Sequence, residues 1–523
     1  MSQNHLINYV SRVWYGATGR RCCSEYAGVA SNFGSQINIS RTMASVSKSV
    51  TVDNINPNLV KLEYAVRGPI VVRALAIQKE IDEGAQKPFK TVVRANIGDA
   101  HAMGQQPITF IRQVLASVAC PSLIKDSNFP EDVKARAQAI LNACGGQSVG
   151  AYSVSHGIEL IRKSVAQYIE QRDGHPANWE DICLCGGAST GIKNCLQLFC
   201  NKINGKDSGI MIPIPQYPLY SASLAEYGLG QVPYYLDEER GWALNEDELE
   251  RSYEEGAKHY NVRALVVINP GNPTGQVLSR ENIESIVKFA QKKNLFIFAD
   301  EVYQHNVYKG GKFFSFKKVM QEMGAPYSGL ELASFMSASK GYMGECGLRG
   351  GWMELCNLEP AVQAHLYKTI SAMLCPTTIG QAAIDCIARP PQPGEPSYEQ
   401  FARERDEVLG SLAQRARMAA DAFNSMEGFT CNTVQGAMYA FPQFKLSKKA
   451  IAAAEKEGKK PDVFYAFRLL EETGICIIPG SGFGQKPGTW HFRTTILPQP
   501  KLLAEMLDSF QKFHAKFTQE FAD

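Results

Sequence analysis

The sequence has no run of apolar residues long enough to cross a bilayer. Its longest, such as "ALVVI" and "LFIFA", have the length of buried strands. It has no excess of charge of either sign, with 54 Lys and Arg against 52 Asp and Glu and a net charge of +2. No broad field therefore draws it to nucleic acid or acidic membranes. Its 14 cysteines include no CxxC pair and no regular spacing. That excludes a disulfide framework and points to a reduced, intracellular state. Cys183 and Cys185 alternate with apolar residues, as in a buried strand. No internal repeat is visible.

What is present is a chain of 523 residues with 45% hydrophobic and 20% charged side chains. That composition is globular, and the length is too great for one compact core. Helical spacing runs through "LEYAVRGPIVVRALAIQKEIDE", interrupted at Gly68-Pro69. "TVVRANIGDA" reads as a short strand and turn, and "QPITFIRQVLASV" as a helix. Strands and helices then alternate. The strands are "DICLCGG", "GIMIPIP", "RALVVINP" and "LFIFADE"; the helices are "STGIKNCLQLFCNKI", "YPLYSASLAEYG" and "SRENIESIVKFAQKKN". Continuous apolar strands with helical crossovers predict an α/β fold, a mostly parallel sheet covered on both faces. Four prolines in "ARPPQPGEPSYE" mark a surface connection. Beyond it, "GAMYAFPQF", "ICIIPG" and "WHFRTTIL" predict strands of a smaller α+β unit. The expected division is a tail over 1–50, an N-terminal segment over 51–125 that is part of the small domain, a large domain over 126–390 and the C-terminal small domain over 391–523.

In open α/β sheets, ligands bind beyond the carboxyl ends of the strands. "CGGASTG" (185–191) offers free N–H groups and the Ser189 hydroxyl at a helix start, either an anion cradle or an ordinary N-cap. "NPGNPTG" (269–275) is more than an Asx/Pro turn requires. In "FADEVY", Asp300 ends an apolar strand, where a carboxylate is costly unless it meets a cation or caps a helix. "MSASKGYMGECGLRGGWME" sets Lys340 among hydroxyls and five glycines, with Arg349 nine positions on. So much Gly disfavours a helix and suits close backbone approach. A lysine, an anion cradle, a buried carboxylate and an Asn/Tyr pair together fit pyridoxal phosphate. Lys340 would form the Schiff base with its aldehyde. The cradle, Ala188 and Ser189 included, would hold the phosphate with Arg349. Asp300 would pair the ring nitrogen, and Asn272 and Tyr303 would bond the phenolic oxygen.

These stretches resemble the class I/II pyridoxal-phosphate aminotransferases of fold type I. "EYAVRGPIVVRA", "RANIGDAHAMGQQPITFIRQV" and "WHFRTTILP" resemble the alanine aminotransferase branch, and the likeness runs from about Leu62 to the C-terminus. The resemblance implies further roles. Tyr217 would stack on the ring and Ser337 would bond the phosphate. Tyr152 would reach the phosphate of a neighbouring subunit, which makes a homodimer. Arg493 would clamp the substrate α-carboxylate beside Asn272, and Gly98 would close over the substrate. Seen alone, Arg493 reads as one half of a structural ion pair, and Gly98 as a turn glycine. The implied reaction is L-alanine with 2-oxoglutarate giving pyruvate and L-glutamate, by ping-pong exchange. Glutamate:glyoxylate exchange is the near alternative, although "QEFAD" at the C-terminus is no peroxisomal tripeptide. A non-catalytic regulator with this fold would need a DNA-binding head that the Ser-rich N-terminus does not supply.

The first fifty residues lack acid. Arg12, Arg20, Arg21, Arg41 and Lys48 face a single Glu25, among nine serines. Leu6, Val10, Val13 and Trp14 fall on one helical face. This composition is that of a transit peptide, and it predicts a mitochondrial matrix protein. An unaddressed disordered tail is the plain alternative, and initiation at Met43 would give a cytosolic form. Mass spectrometry of the endogenous protein is expected to find this segment removed. An intact Met1 start confined to the cytosolic fraction would contradict it.

Overall fold

The computed structural model describes residues 48–126, 128–308 and 310–522. The apolar stretches form one large sheet of β1 (Ile182–Cys185), β2 (Lys202–Ile203), β3 (Lys206–Ile214), β4 (Gly230–Tyr235), β5 (Asn261–Ile268), β6 (Phe296–Asp300), β7 (Leu332–Ser337) and β8 (Gly351–Cys356). The order across it is β1-β8-β7-β6-β5-β3, with β4 beside β3 and the short β2 returning along β3 as a hairpin. β3 to β7 pair in parallel, and β8 is antiparallel to both β1 and β7. β1 therefore runs with the parallel set. Six strands deliver their carboxyl ends to one edge of the sheet, and β8 begins there.

The continuous apolar runs exist because both faces are covered. In β5, Ala264, Val266 and Ile268 join one core, with Phe298 and Phe335 beside them and Ile192 of the helix Ala188–Leu196 above. Leu265 and Val267 point the other way, onto Ile283, Ile286 and Val287 of the helix Arg280–Lys293. A third cluster packs Leu184, Met336 and Trp352 under the helices Thr109–Ala119, Glu159–Asp173 and Thr378–Ala388.

Beyond the connection at 389–397, the 27-residue helix Tyr398–Asn424 leads to two small antiparallel sheets. One joins β10 (Tyr439–Ala440), β13 (Phe492–Thr495) and β12 (Ile478–Pro479); the other joins β9 (Phe429–Thr430) and β11 (Gln443–Phe444). From Ile55 onward the described chain packs as one compact unit. Among the described residues no helix is long and apolar enough to cross a membrane.

Three expectations need correction. "TVVRANIGDA" is not a strand; Val93 makes a single bridge to Ile475, because the chain turns away at Ala95 into the cavity wall. The helix after β1 stops at Leu196, and a 3₁₀ turn at Gln197–Phe199 frees Lys202–Ile203 to pair with β3. "GAMYAFPQF" is two strands rather than one, broken around Pro442, which has no N–H to give. The N-terminal segment with Leu6, Val10, Val13, Trp14 and Met43 lies outside the described residues.

Candidate active site

The carboxyl edge of the sheet opens onto a cavity of about 520 Å³. Lys340, Gly98, Ala188, Ser189, Tyr217, Asn272, Asp300, Tyr303, Ser337, Arg349 and Arg493 all line it. The sequence expectation therefore converges on one place from β1, β3, β5, β6, β7, β13 and two loops. Tyr152 does not belong to this wall; it is 76% exposed on the surface. A larger cavity, about 720 Å³ between the helices Thr109–Ala119 and Tyr398–Asn424, contains none of these residues.

At one end is an anion cradle. Gly187 precedes the helix Ala188–Leu196 with φ of 89°, and no side chain caps that helix. The Ala188 and Ser189 amides of its first turn are thus left to a ligand. Arg349 adopts the left-handed region at φ 55°, a conformation that costs a non-glycine residue about 1 kcal/mol or more. The twist turns its guanidinium onto the cradle. Nη2 donates to Gly186 O at 3.1 Å and to Ser189 Oγ at 3.4 Å, and Nη1 to Ser339 Oγ at 3.4 Å. A Cβ on Gly187 would lie 2.5 Å from Nη2, so only glycine fits there. The Ser337 hydroxyl accepts from Ser339 N at 3.1 Å within the same loop.

In the middle, Asp300 is buried at the end of β6. No helix follows it until Phe316, so it caps nothing. Its Oδ2 accepts from Tyr220 Oη at 3.0 Å, while Oδ1 has no partner. Burial pushes its carboxyl up to about 6, against the Tyr220 hydroxyl, the Val302 amide and the Lys340 charge. Lys340 Nζ donates to Gly98 O at 3.1 Å. A Cβ on Gly98 would lie 2.1 Å from Tyr439 Oη and 3.2 Å from Lys340 Nζ. Close approach, not turn geometry, is what Gly98 provides.

At the far end Arg493 is 1% exposed and has no carboxylate partner among the described residues. The structural ion pair is therefore not found. Its guanidinium lies 4.1 Å over the Tyr439 ring and 4.8 Å over Phe483. Nη1 donates to Asn272 Oδ1 at 3.0 Å, Nη2 to Asn96 O at 2.6 Å, and Nε has no partner. A desolvated cation with no anion is costly, and an incoming carboxylate would relieve it.

Several wall residues were missed by sequence reasoning. Tyr439 receives a hydrogen bond from Tyr303 Oη at 3.3 Å. Burial pushes its phenol up, but the Lys340 and Arg493 charges outweigh burial and leave it below its ordinary value. Tyr64 Oη meets Tyr217 Oη at 3.1 Å. Arg67, Cys346 and Asp99 also line the cavity. Tyr220, the partner of Asp300, was missed too. None carried a local signal beyond its residue type.

The residues fit pyridoxal phosphate. The orphaned Asp300 Oδ1 suits a protonated ring nitrogen, the Gly187–Arg349 cradle suits a phosphate, and Lys340 lines the same cavity. Among the described residues no group of side chains could hold a metal ion.

The native Asp300 carboxyl releases its proton near 6, whereas the unfolded chain releases it near the ordinary 3.8. In protein free of bound small molecules, the buried anion therefore destabilises the fold progressively as pH rises from about 4 to about 6. Asp300→Asn removes that loss. Relative to wild type, the variant is expected to gain on the order of 3 kcal/mol between pH 4 and pH 8. Chemical denaturation at the two pH values measures it. An equal difference at both would contradict the burial argument.

The sequence model of the family described as aminotransferase class I and II matches residues 123–510. Alanine aminotransferase 2 of Xenopus tropicalis is 55% identical over 479 residues, 91% of this chain and 91% of that protein. Alanine aminotransferase 1 of Homo sapiens is 55% identical over 479 residues, 91% and 97% of the two chains. A probable mitochondrial alanine aminotransferase of Dictyostelium discoideum is 48% identical over 486 residues, 91% and 90%. Among solved structures, an aminotransferase from Escherichia coli superposes with a TM-score of 0.68 at 24% identity, over 88% of this chain and 98% of that one. An alanine aminotransferase from Pyrococcus furiosus gives 0.69 at 22%, over 88% and 99%. With this fold, this cavity and this similarity, the chain belongs to the class I and II aminotransferases.

Proposed function

We propose that the protein exchanges the amino group of L-alanine with 2-oxoglutarate, giving pyruvate and L-glutamate, with pyridoxal phosphate held on Lys340. Class I and II aminotransferases use this cofactor. The observation that carries the reading is the convergence of Lys340, Asp300 and an unpaired, buried Arg493 on one cavity. The similarity to proteins named alanine aminotransferase supports the choice of substrate.

When bound, pyridoxal phosphate supplies an aldehyde for the amino group and a ring that accepts electron density. The chain does the rest. The Ala188 and Ser189 amides, the Ser189 and Ser337 hydroxyls and Arg349 hold the phosphate. Tyr217 covers one face of the ring. Asp300 keeps its carboxylate at the ring nitrogen, so that a proton stays there. Tyr303 and the Asn272 amide hold the phenolic oxygen. Arg493, kept flat by Tyr439 and Phe483, takes the α-carboxylate with two parallel N–H groups. That fixes the substrate Cα toward Lys340. Once the substrate amino group has taken its place at the cofactor, the freed Lys340 Nζ would take the proton from Cα, and Gly98 O, its present partner, would keep the amine aimed into the cavity. A second oxo acid meets the same residues in reverse.

Residues 126–390 carry most of this set on our reading. Residues 51–125 and 391–523 form the smaller part, which brings Gly98 and Arg493 over the substrate. Tyr152 belongs to a homodimer. With Val154, Met373 and Leu374 it is exposed on two loops joined by Gln381, whose Nε2 donates to Ser153 Oγ and Pro376 O, both at 3.0 Å. Covering these apolar groups with a second copy would carry Tyr152 toward that copy's cradle. The basic N-terminus and the mitochondrial relative support a matrix location.

The function is tested by pyruvate release from alanine with 2-oxoglutarate, against glyoxylate with glutamate as the competing pair. Faster exchange with glyoxylate would contradict the alanine reading. Lys340→Ala is expected to bind the cofactor without a covalent link, so that borohydride no longer fixes it to the chain, and to lose turnover. Near-normal turnover would contradict the role of Lys340. Arg493→Lys is expected to keep its cofactor absorbance but lose about 100-fold in efficiency toward alanine, since a point charge cannot replace the planar fork. Loss of cofactor and of folding instead would mark Arg493 as structural.

A further inference from the structure

The exchange leaves one charge unanswered. 2-Oxoglutarate and L-glutamate carry a second carboxylate that pyruvate and L-alanine lack, and Arg493 can take only the α-carboxylate. We propose that Arg67 receives this distal carboxylate and so selects a five-carbon dicarboxylic acid as the amino acceptor, a role that rests on the aminotransferase reading above.

Arg67 ends the single 3₁₀ turn Ala65–Arg67 and lines the same cavity. Four cations share that wall. Lys340, Arg349 and Arg493 each donate hydrogen bonds to the protein. Among the described residues the Arg67 side chain has no hydrogen bond and no ion pair. Its turn is nevertheless held from both sides. Tyr64 Oη meets Tyr217 Oη at 3.1 Å. Ala65 packs so tightly on Gly482 that a Cβ there would lie 2.4 Å from the Ala65 Cβ. Gly482 precedes Phe483, which stacks on Arg493. The two guanidiniums therefore belong to adjoining parts of one wall.

Their burial differs in the sense the chemistry requires. Every substrate of this exchange has an α-carboxylate, so Arg493 can be buried and wait for it. Only half of the substrates have a distal carboxylate. A buried cation at that position would be stranded whenever alanine or pyruvate is bound, at a large desolvation cost. Arg67 is exposed. Water satisfies it when the substrate is small, and a carboxylate replaces the water when the substrate is long.

Glutarate, an unreactive five-carbon dicarboxylate, and propanoate, its short counterpart, probe the site directly. Calorimetry on the cofactor-loaded protein and on Arg67→Gln is expected to show glutarate weakened about 10- to 100-fold, with a far smaller change for propanoate. The ratio of kcat/KM for 2-oxoglutarate over pyruvate should fall by a similar factor, and Arg67→Lys should recover part of both. An unchanged glutarate-to-propanoate ratio would overturn the proposal and assign the distal carboxylate to another cation, such as one from a partner subunit. If wild type exchanges neither alanine nor 2-oxoglutarate, the functional reading fails, while the glutarate comparison still decides the role of Arg67.

Discussion

A carboxylate with one oxygen unmet, at the buried end of the central strand β6, is the constraint around which the rest is arranged. Asp300 cannot be there for stability. Burial lifts its carboxyl to about 6 even against the Tyr220 hydroxyl, the Val302 amide and the Lys340 charge, and Tyr220 satisfies only one oxygen. The position is tolerable if a cation regularly occupies the cavity beside it. The parallel sheet makes that arrangement possible, because strands running one way deliver all their following loops to one edge. The cradle after β1, Tyr217 after β3, Asn272 after β5 and Lys340 after β7 meet Asp300 there for that reason. β8, reversed, begins at the same edge and brings Arg349 with it.

The second dependence crosses to the small sheet. Arg493 sits in β13, far from the large sheet in sequence; it is tied to the loop after β5 through Asn272 and to the N-terminal segment through Asn96. Tyr439 in the adjacent β10 supports the Arg493 guanidinium with its ring and reaches Tyr303 with its hydroxyl. Gly98 leaves the gap into which that hydroxyl fits. One tyrosine thus lies between the Arg493 guanidinium and the Gly98–Lys340 contact. The cations of the cavity keep its phenol below its ordinary value despite burial.

Much of this was legible in the sequence, for a physical reason. Strands buried on both faces need unbroken apolar runs, so β3, β5 and β6 stand out without further help. Glycines at close approaches and a carboxylate after an apolar strand are unusual enough to mark the site. Tyr439, Tyr64, Tyr220 and Arg67 are different. A tyrosine beside an apolar run and an arginine in a short turn are common; the tyrosines take their meaning from partners 80 to 153 residues away, and Arg67 from the cavity it lines. Arg493 lay between these cases. Its residue type alone suggested an ion pair, the resemblance suggested a substrate carboxylate, and the absence of any carboxylate around it among the described residues favours the second. "TVVRANIGDA" misled because its β-branched residues suit a strand, whereas its backbone is used to line the cavity.

The central claim is that Asp300 exists to keep a proton on the ring nitrogen of bound pyridoxal phosphate. Nitrogen-15 NMR of the wild-type protein loaded with ring-labelled cofactor reads that proton directly. The account predicts a protonated ring nitrogen at pH 8 in the wild-type protein and a deprotonated one in the Asp300→Ala protein. A deprotonated nitrogen in wild type, or the same protonation in both proteins, would contradict it.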